Sequence, residues 1–332
     1  MTRSRAVPGV IDRYRDRLPV AETTPVVTLG EGSTPLLEAP RLSARLNCEL
    51  WLKWEGANPT GSFKDRGMTV AISKAVESGV SAVICASTGN TAASAAAYAA
   101  RAGLRAVVLQ PHGAVTGAKV AQAAAVGARV VQVRGSFDDA LKAARVLSDR
   151  GTHALVNSLN PFRLEGQKTA AFEIEEDLGG VPDMLALPYG GGGNTRAYAL
   201  GFREGAAGMP RLLAGEALNR RETFASAIRI ASPAHAEEAT AAIDASGGRI
   251  VSLSDDAILS AWRLLAREEG LLCEPSSAAG LAAVIATGVE SGSRVVCVVT
   301  GHGLKDPETA ARESDPPVVV EADPDAIAEA AA

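Results

Sequence analysis

Residues 81–91 read SAVICASTGNT. The opening run is apolar almost without a break, which suits a strand buried on both faces. Ser87, Thr88 and Gly89 interrupt it, and Asn90 starts an Ala-rich stretch that reads as a helix to residue 102, ended by Gly103. A buried strand turning straight into a helix is the repeating unit of an α/β sheet, and the unit recurs in both directions. Strands are expected at 105–110, 129–133, 153–156, 183–188, 249–253 and 294–300. One helix is expected to end near 126, and another to run from a Ser136 cap to about 150. Further helices are expected at 161–177, after Asn194, at 255–269 and at 274–286. The alternation predicts an α/β protein of doubly wound, open parallel sheets. From about residue 315 the chain turns acidic and reads as a peripheral helix or a frayed tail.

At 332 residues there is enough chain for two domains. A hydrophobic content of 47% against 21% charged residues excludes a disordered chain. A net charge of −5 with no basic stripe argues against a nucleic-acid partner. Aromatics make up only 4% while Gly counts 33, so the core has to come from small side chains and close backbone packing. Cys48, Cys85, Cys273 and Cys297 have no metal-type spacing, and Cys85 and Cys297 lie in apolar runs that suit buried thiols. His112, His153, His235 and His302 show no paired spacing, so no metal site is expected. Residues 1–17 are charged and hold no continuous apolar segment, and the apolar runs elsewhere are too short to span a bilayer. The expectation is a soluble, cytoplasmic protein without membrane contact.

Three segments carry chemistry. Residues 58–67 read NPTGSFKDRG. Pro59 and Gly61 enforce a turn, and Ser62 can cap a helix that begins near Phe63, with Lys64 in its first turn. A cation there opposes the helix dipole, which lowers its pKa. A neutral amine is what Schiff-base chemistry with a carbonyl requires. The same residues also fit a surface lysine paired with Asp65 or a nearby Glu. The second segment, Ser87, Thr88, Gly89, Asn90 and Thr91, sits at a strand's carboxyl end, where open sheets bind ligands. Its hydroxyls, amide and helix-start N–H groups can hold an anion, or simply cap the helix.

The third segment is Gly190, Gly191, Gly192, Gly193 and Asn194, directly after a strand. Four glycines let successive N–H groups close around a phosphate, although a flexible loop fits too. Residue 195 is Thr, so the run is neither a Walker A nor a G-x-G-x-x-G motif. Thr300-Gly301-His302-Gly303 ends another buried strand. Asn157, Ser158, Arg163 and Lys168 gather at one more strand end. An Arg with hydroxyl and amide donors suits a second anion, while Arg163 and Lys168 also fit a solvated helix face. The residues taken together offer two anion cradles and one activated lysine.

Residues 58–67 and 87–91, the glycine run and residues 299–306 (VTGHGLKD) resemble the threonine synthases, fold-type II pyridoxal-phosphate enzymes of the tryptophan synthase beta-like superfamily. The resemblance extends from about Leu29 (LGEGSTPL) to about Glu321 and takes in 157–174, 228–233 and 275–279. It implies two doubly wound domains clamping pyridoxal 5'-phosphate. The smaller, residues 47–153, would close on substrate; the larger would combine 1–46 with 154–332. It implies a homodimer acting on a small phosphorylated amino acid, O-phospho-L-homoserine. Phosphate leaves from Cγ, water adds at Cβ, and L-threonine is the product.

Carried over position by position, the resemblance makes Lys64 the Schiff-base residue and the group that moves protons at Cα and Cβ. Phe63 and Asn90 flank the cofactor, with Asn90 at the ring hydroxyl. Gly190, Gly191, Gly192, Gly193 and Asn194 hold its phosphate. Thr300 faces the pyridine nitrogen, where a hydroxyl leaves that nitrogen largely unprotonated. Ser87, Thr88 and Thr91 meet the substrate's carboxylate and phosphate. Asn157, Ser158 and Arg163, with Lys53, line the pocket for the substrate phosphate.

Three features depart from the family's pattern. The glycine run reads GGGGN where these synthases usually have GNAGN, and in this it is similar to the serine/threonine dehydratases. His302 stands where the family usually has Asn. Residues 210–225 (PRLLAGEALNRRETFA) look shortened, as though a strand and an Ala/Gly-rich loop were missing. The alternative reading is therefore another pyridoxal-phosphate β-replacement or elimination enzyme, using phosphoserine or threonine. A non-catalytic pyridoxal-phosphate-binding paralogue is a further one. The Asn157, Ser158 and Arg163 cluster argues against a dehydratase, which has no substrate phosphate to bind.

Overall fold

In the computed structural model, which describes residues 7–113 and 117–331, ten strands form two sheets. They are β1 (Leu36–Glu38), β2 (Glu49–Trp54), β3 (Ala82–Ala86), β4 (Arg105–Pro111), β5 (Arg129–Val133), β6 (Ala154–Leu155), β7 (Met184–Pro188), β8 (Arg211–Ala217), β9 (Arg249–Leu253) and β10 (Arg294–Val299). Six make one sheet in the order β1-β2-β10-β7-β8-β9, and four make the other, β5-β4-β3-β6. Every pairing is parallel except that of β1 with β2.

β10 shows why helices cover both faces. Val295, Cys297 and Val299 join a cluster with Ile258 and Leu265 of the Asp255–Glu268 helix and Leu281 of the Ala279–Thr287 helix. Val296 and Val298 join the opposite cluster, with Ile174 of Pro161–Leu178, Phe202 of Gly193–Glu204 and Ile243 of Ala236–Ala245. Side chains alternate along a strand, so a strand apolar at every position needs apolar cover on both sides. β3 repeats this in the smaller sheet. Val83 and Cys85 pack with Ala95 and Ala99 of the Asn90–Arg101 helix, and Ile84 and Ala86 with Ala140 and Ala144 of the Phe137–Asp149 helix. That last helix starts on the expected cap, a capping box between Ser136 and Asp139.

Close backbone packing positions the chemistry. The Lys64–Glu77 helix crosses the Pro161–Leu178 helix at two glycines. A Cβ on Gly67 would lie 2.4 Å from the Arg163 carbonyl oxygen, and one on Gly166 would lie 2.0 Å from that of Arg66. Even alanine would force the helices apart. Their contact brings Lys64 and Arg163 to one place.

Several expectations change. β2 pairs with β10 in the six-stranded sheet, and its Leu50 and Leu52 belong to that sheet's core. β6 pairs with β3 in the four-stranded one. Sheet membership thus assigns Glu49–Trp54 to the six-stranded sheet and Ala154–Leu155 to the four-stranded one. Residues 210–225 do retain a strand, since Arg211–Ala217 is β8, between β7 and β9. The helix expected at 274–286 is split into a 3-10 turn, Pro275–Ala278, and the helix Ala279–Thr287. Near the start of the chain, the Val10–Tyr14 helix packs Ile11 and Tyr14 with Val70 and Phe172. The rest of the reading at 1–17 falls partly on residues 1–6, which lie outside the described residues. The acidic tail carries a helix, Pro324–Ala331, with no buried residue, and Ala332 lies outside the described residues. All four cysteines are buried and free.

Candidate active site

The carboxyl ends of β3, β7 and β10 deliver three loops to one region, and the start of the Lys64–Glu77 helix meets them there. The Phe63 N–H donates to the Thr300 carbonyl at 3.1 Å, and Ser62 forms a β-bridge with Gly301. These contacts pin the helix start to the end of β10. Ser62 is not the expected cap, because its hydroxyl has no partner among the described residues and the helix begins one residue beyond Phe63.

Lys64 is half-buried, with Nζ 4.1 Å from the centre of the Phe63 ring. Burial pushes the amine well below the ordinary lysine range; the Arg163 cation adds to this, and Glu274 opposes it. The expected depression is present, but burial rather than the helix dipole is its main cause. Asp65 does not pair with Lys64. Its carboxylate accepts from the Thr60 N–H, the Thr60 hydroxyl and the Ser94 hydroxyl, each at 2.6 Å.

The glycine run follows β7 through Tyr189. Gly192 has φ +81°, and a Cβ there would lie 2.7 Å from the His235 carbonyl oxygen, so both backbone and space demand glycine. The Gly193–Glu204 helix starts at once and turns its free N–H groups toward the loop. Asn194 Nδ2 and Thr195 Oγ1 are buried without a partner among the described residues. His235, for which no role was expected, ties this loop to the neighbouring one. Its main-chain N–H donates to the Gly191 carbonyl at 3.0 Å, and its Nε2 lies 3.0 Å from the Ser158 carbonyl.

Asn90 opens its helix with Nδ2 donating to Glu274 Oε2 at 2.7 Å. The Thr300 hydroxyl is 2.9 Å from that of Ser277, which also accepts from the Gly301 N–H at 2.9 Å. The Ser87 hydroxyl accepts from the Gly89 N–H, and Thr88 is exposed. His302 Nδ1 accepts from the Leu304 N–H at 3.1 Å, a capping task that an Asn side chain performs equally well.

Arg163 is wholly buried. Its Nη1 makes two long contacts, 3.4 Å to Thr91 Oγ1 and 3.3 Å to the Val156 carbonyl. Nε and Nη2 have no partner among the described residues. Burial pulls its pKa down to about 10. An uncompensated buried cation costs several kcal/mol, so this position is built to receive an anion.

Other members of the expected cluster are committed elsewhere. Asn157 accepts from the Ala86 N–H at 3.0 Å and donates to the Ala86 carbonyl at 2.8 Å, bracing the end of β3. Lys53 is committed to carboxylates. Its buried ammonium pairs with Glu173 at 2.9 Å and Asp177 at 3.5 Å and donates to the Thr34 carbonyl at 2.8 Å. Lys168 is likewise paired, with Glu165 at 2.6 Å and Glu204 at 2.8 Å. Sequence reasoning missed Glu274, Ser277, Lys119 and His235. The one local signal was an acidic residue set in the otherwise uncharged run 271–284, LLCEPSSAAGLAAV.

The residues fit pyridoxal phosphate: a depressed lysine amine, a glycine loop at a helix start with open polar groups, and a hydroxyl at the end of β10. The family model described as pyridoxal-phosphate dependent enzyme matches residues 27–301. The chain is 50% identical to the threonine synthase of Mycobacterium tuberculosis, over 97% of this chain and 95% of that one. It is also 50% identical to that of Synechocystis, over 92% and 85% respectively. Among solved structures, maize serine racemase superposes with a TM-score of 0.73 at 24% identity, over 84% of this chain and 90% of that one. The processed form of threonine deaminase isoform 2 from Solanum lycopersicum also gives 0.73 at 24% identity, over 84% and 81%.

Proposed function

The chain belongs to the pyridoxal-phosphate-dependent enzymes and, among them, to the threonine synthases, and from that premise we propose how its own residues divide the work. The reaction takes O-phospho-L-homoserine and water to L-threonine and phosphate. Pyridoxal phosphate, when bound, supplies the electron sink that makes protons at Cα and Cβ removable. Lys64 would hold it covalently and would be the group that moves protons at Cα and Cβ of the substrate; its depressed pKa supplies the neutral amine both tasks need. Gly190, Gly191, Gly192, Gly193 and Asn194 hold the cofactor phosphate at the helix start. Asn90 and Phe63 would hold the ring, and the Thr300 hydroxyl, held by Ser277, would serve its nitrogen.

Ser87, Thr88 and Thr91 receive the substrate carboxylate and phosphate. Arg163, with Thr91 in contact, binds the phosphate that will leave together with Ser158, and Asn157 keeps that wall in place. The single observation that carries this reading is the Arg163 guanidinium, buried with Nε and Nη2 lacking a partner among the described residues, and close enough to depress the Lys64 amine. The four-stranded unit closes on the substrate, so that water enters at the addition step and not before. We further propose a homodimer working in the cytoplasm; among the described residues no helix is long and apolar enough to cross a membrane.

The test reads phosphate and amino-acid product together across a panel of O-phosphohomoserine, O-phosphoserine and threonine. Equal amounts of phosphate and threonine from O-phosphohomoserine are expected. Turnover of O-phosphoserine or threonine alone would overturn the reading.

A further inference from the structure

Glu274 is a buried carboxylate, 1% exposed, between the two sheets' units. On one side its main chain is fixed to the end of β10, where its N–H donates to the Gly301 carbonyl at 2.9 Å. A Cβ on Gly301 would lie 2.5 Å from Glu274 Oε2, so the carboxylate packs directly on that backbone. On the other side both carboxylate oxygens are taken by donors from the four-stranded unit. Oε2 accepts from Asn90, and Oε1 is ion-paired with Lys119.

Lys119 stands in the first turn of the Ala118–Ala125 helix and is itself 8% exposed. It also reaches the Ser226 hydroxyl at 3.2 Å. Three residues on, and on the same helix face, Gln122 makes a second tie. Its Nε2 donates to the Thr60 carbonyl at 3.3 Å, and its Oε1 accepts from Lys305 Nζ at 2.6 Å. One short helix thus grips the opposite unit at two points, and one of them is the carboxylate that holds Asn90.

A carboxylate only accepts, so Glu274 decides which end of the Asn90 amide faces it. Nδ2 is drawn to Glu274, and Oδ1 is left buried without a partner among the described residues. We propose that Glu274 is a positioning residue that orients the Asn90 amide against the cofactor ring, and that Lys119 is the other half of a latch coupling this orientation to closure of the four-stranded unit. The inference rests on the placement of the ring beside Asn90 set out above. Without the carboxylate, the amide is free to turn over. Without Lys119, Glu274 keeps Asn90 but loses its hold on the closing helix.

The test uses the holoenzyme and the variants Glu274→Gln, Asn90→Ala and Lys119→Met, singly and paired. The first readout is the cofactor's visible absorbance band with no substrate present. Glu274→Gln and Asn90→Ala should each shift that band, and the double variant should shift it no further than Asn90→Ala alone. Lys119→Met should raise KM by about tenfold while kcat falls by less than that, the loss of one charge-assisted contact in the closed form. An unchanged band in Glu274→Gln, or additive shifts in the pair, would overturn the proposal. Should Glu274→Gln fail to fold, Glu274→Asp with Asn90→Ala carries the same cycle and the same two outcomes. The band is read without substrate, so an enzyme that makes no threonine yet shows the non-additive shift would sink the proposed reaction and leave this inference standing.

Discussion

Arg66 and Arg163 are both wholly buried, and they lie on the two helices that touch at Gly67 and Gly166. Arg66 is saturated. Its guanidinium donates to Glu55 at 2.7 and 2.8 Å, to Glu173 at 2.7 and 2.6 Å, and to the Thr34 hydroxyl at 2.9 Å. Lys53 reinforces the same Glu173. Arg163 has two long contacts and no acidic partner among the described residues. Equal burial with opposite satisfaction separates the two jobs. The first arginine ties the turn after β2, the two helices and Thr34 into one frame, while the second keeps donors open for the anion proposed above.

The largest effect should come from the site itself. Lys64→Ala should abolish the visible cofactor band and slow threonine formation by at least about 10³-fold, with unfolding left nearly unchanged. A large loss of stability in that variant would mean that Lys64 belongs to the frame. Next, Arg66→Met leaves Glu55 buried without its cation and Glu173 with Lys53 alone. It should cost about 3–5 kcal/mol in chemical denaturation. A cost under about 1 kcal/mol would erase the contrast with Arg163.

Arg163→Met is the converse. Removing an unpaired buried charge should leave the unfolding midpoint unchanged or raise it. KM for O-phosphohomoserine should rise by about 100-fold, the scale of losing a buried charge-assisted contact. The visible band should persist; its loss would place Arg163 on the cofactor instead. The smallest effect is a pH dependence. Burial alone would raise the Glu173 carboxyl, but Arg66 and Lys53 together hold it well below the usual range. A carboxyl depressed on folding contributes stability above its unfolded value and loses it as pH falls. Stability should therefore decline as pH drops below about 4.5, and Arg66→Met should flatten that decline when midpoints are compared across acid pH.

Much of the fold was readable because its signals are local. β5 and β9 fall on the expected residues, and β3, β4, β7 and β10 within one residue at each end. Continuous apolar runs and the Ser136 cap act over a few residues. β8 was hidden for a physical reason. RLLAGEA combines Ala, Gly and Glu, which rarely favour strands alone. It becomes one because β7 and β9 bond it on both sides, and because a Cβ on Gly215 would meet the Ala279 carbonyl at 2.1 Å. The sheet that β2 joins was hidden similarly, since nothing within 49–54 announces that its partner is β10, some 245 residues away.

Sequence by itself determined the α/β class, the lysine at a helix start, the glycine run at a strand end and the burial of Cys85 and Cys297. Each depends on turn chemistry or periodicity among near neighbours. Only the tertiary structure decided what each buried cation does. Lys53, Arg66, Lys119, Arg163 and Lys168 look alike along the chain. Partners that settle their roles stand far off in sequence, at 107 residues for Arg66 with Glu173 and 155 for Lys119 with Glu274, although Lys168 also finds Glu165 three residues away. A charge is neutralised through space, so folding alone determined that Arg66 would lock the frame and that Arg163 would be left without an acidic partner among the described residues.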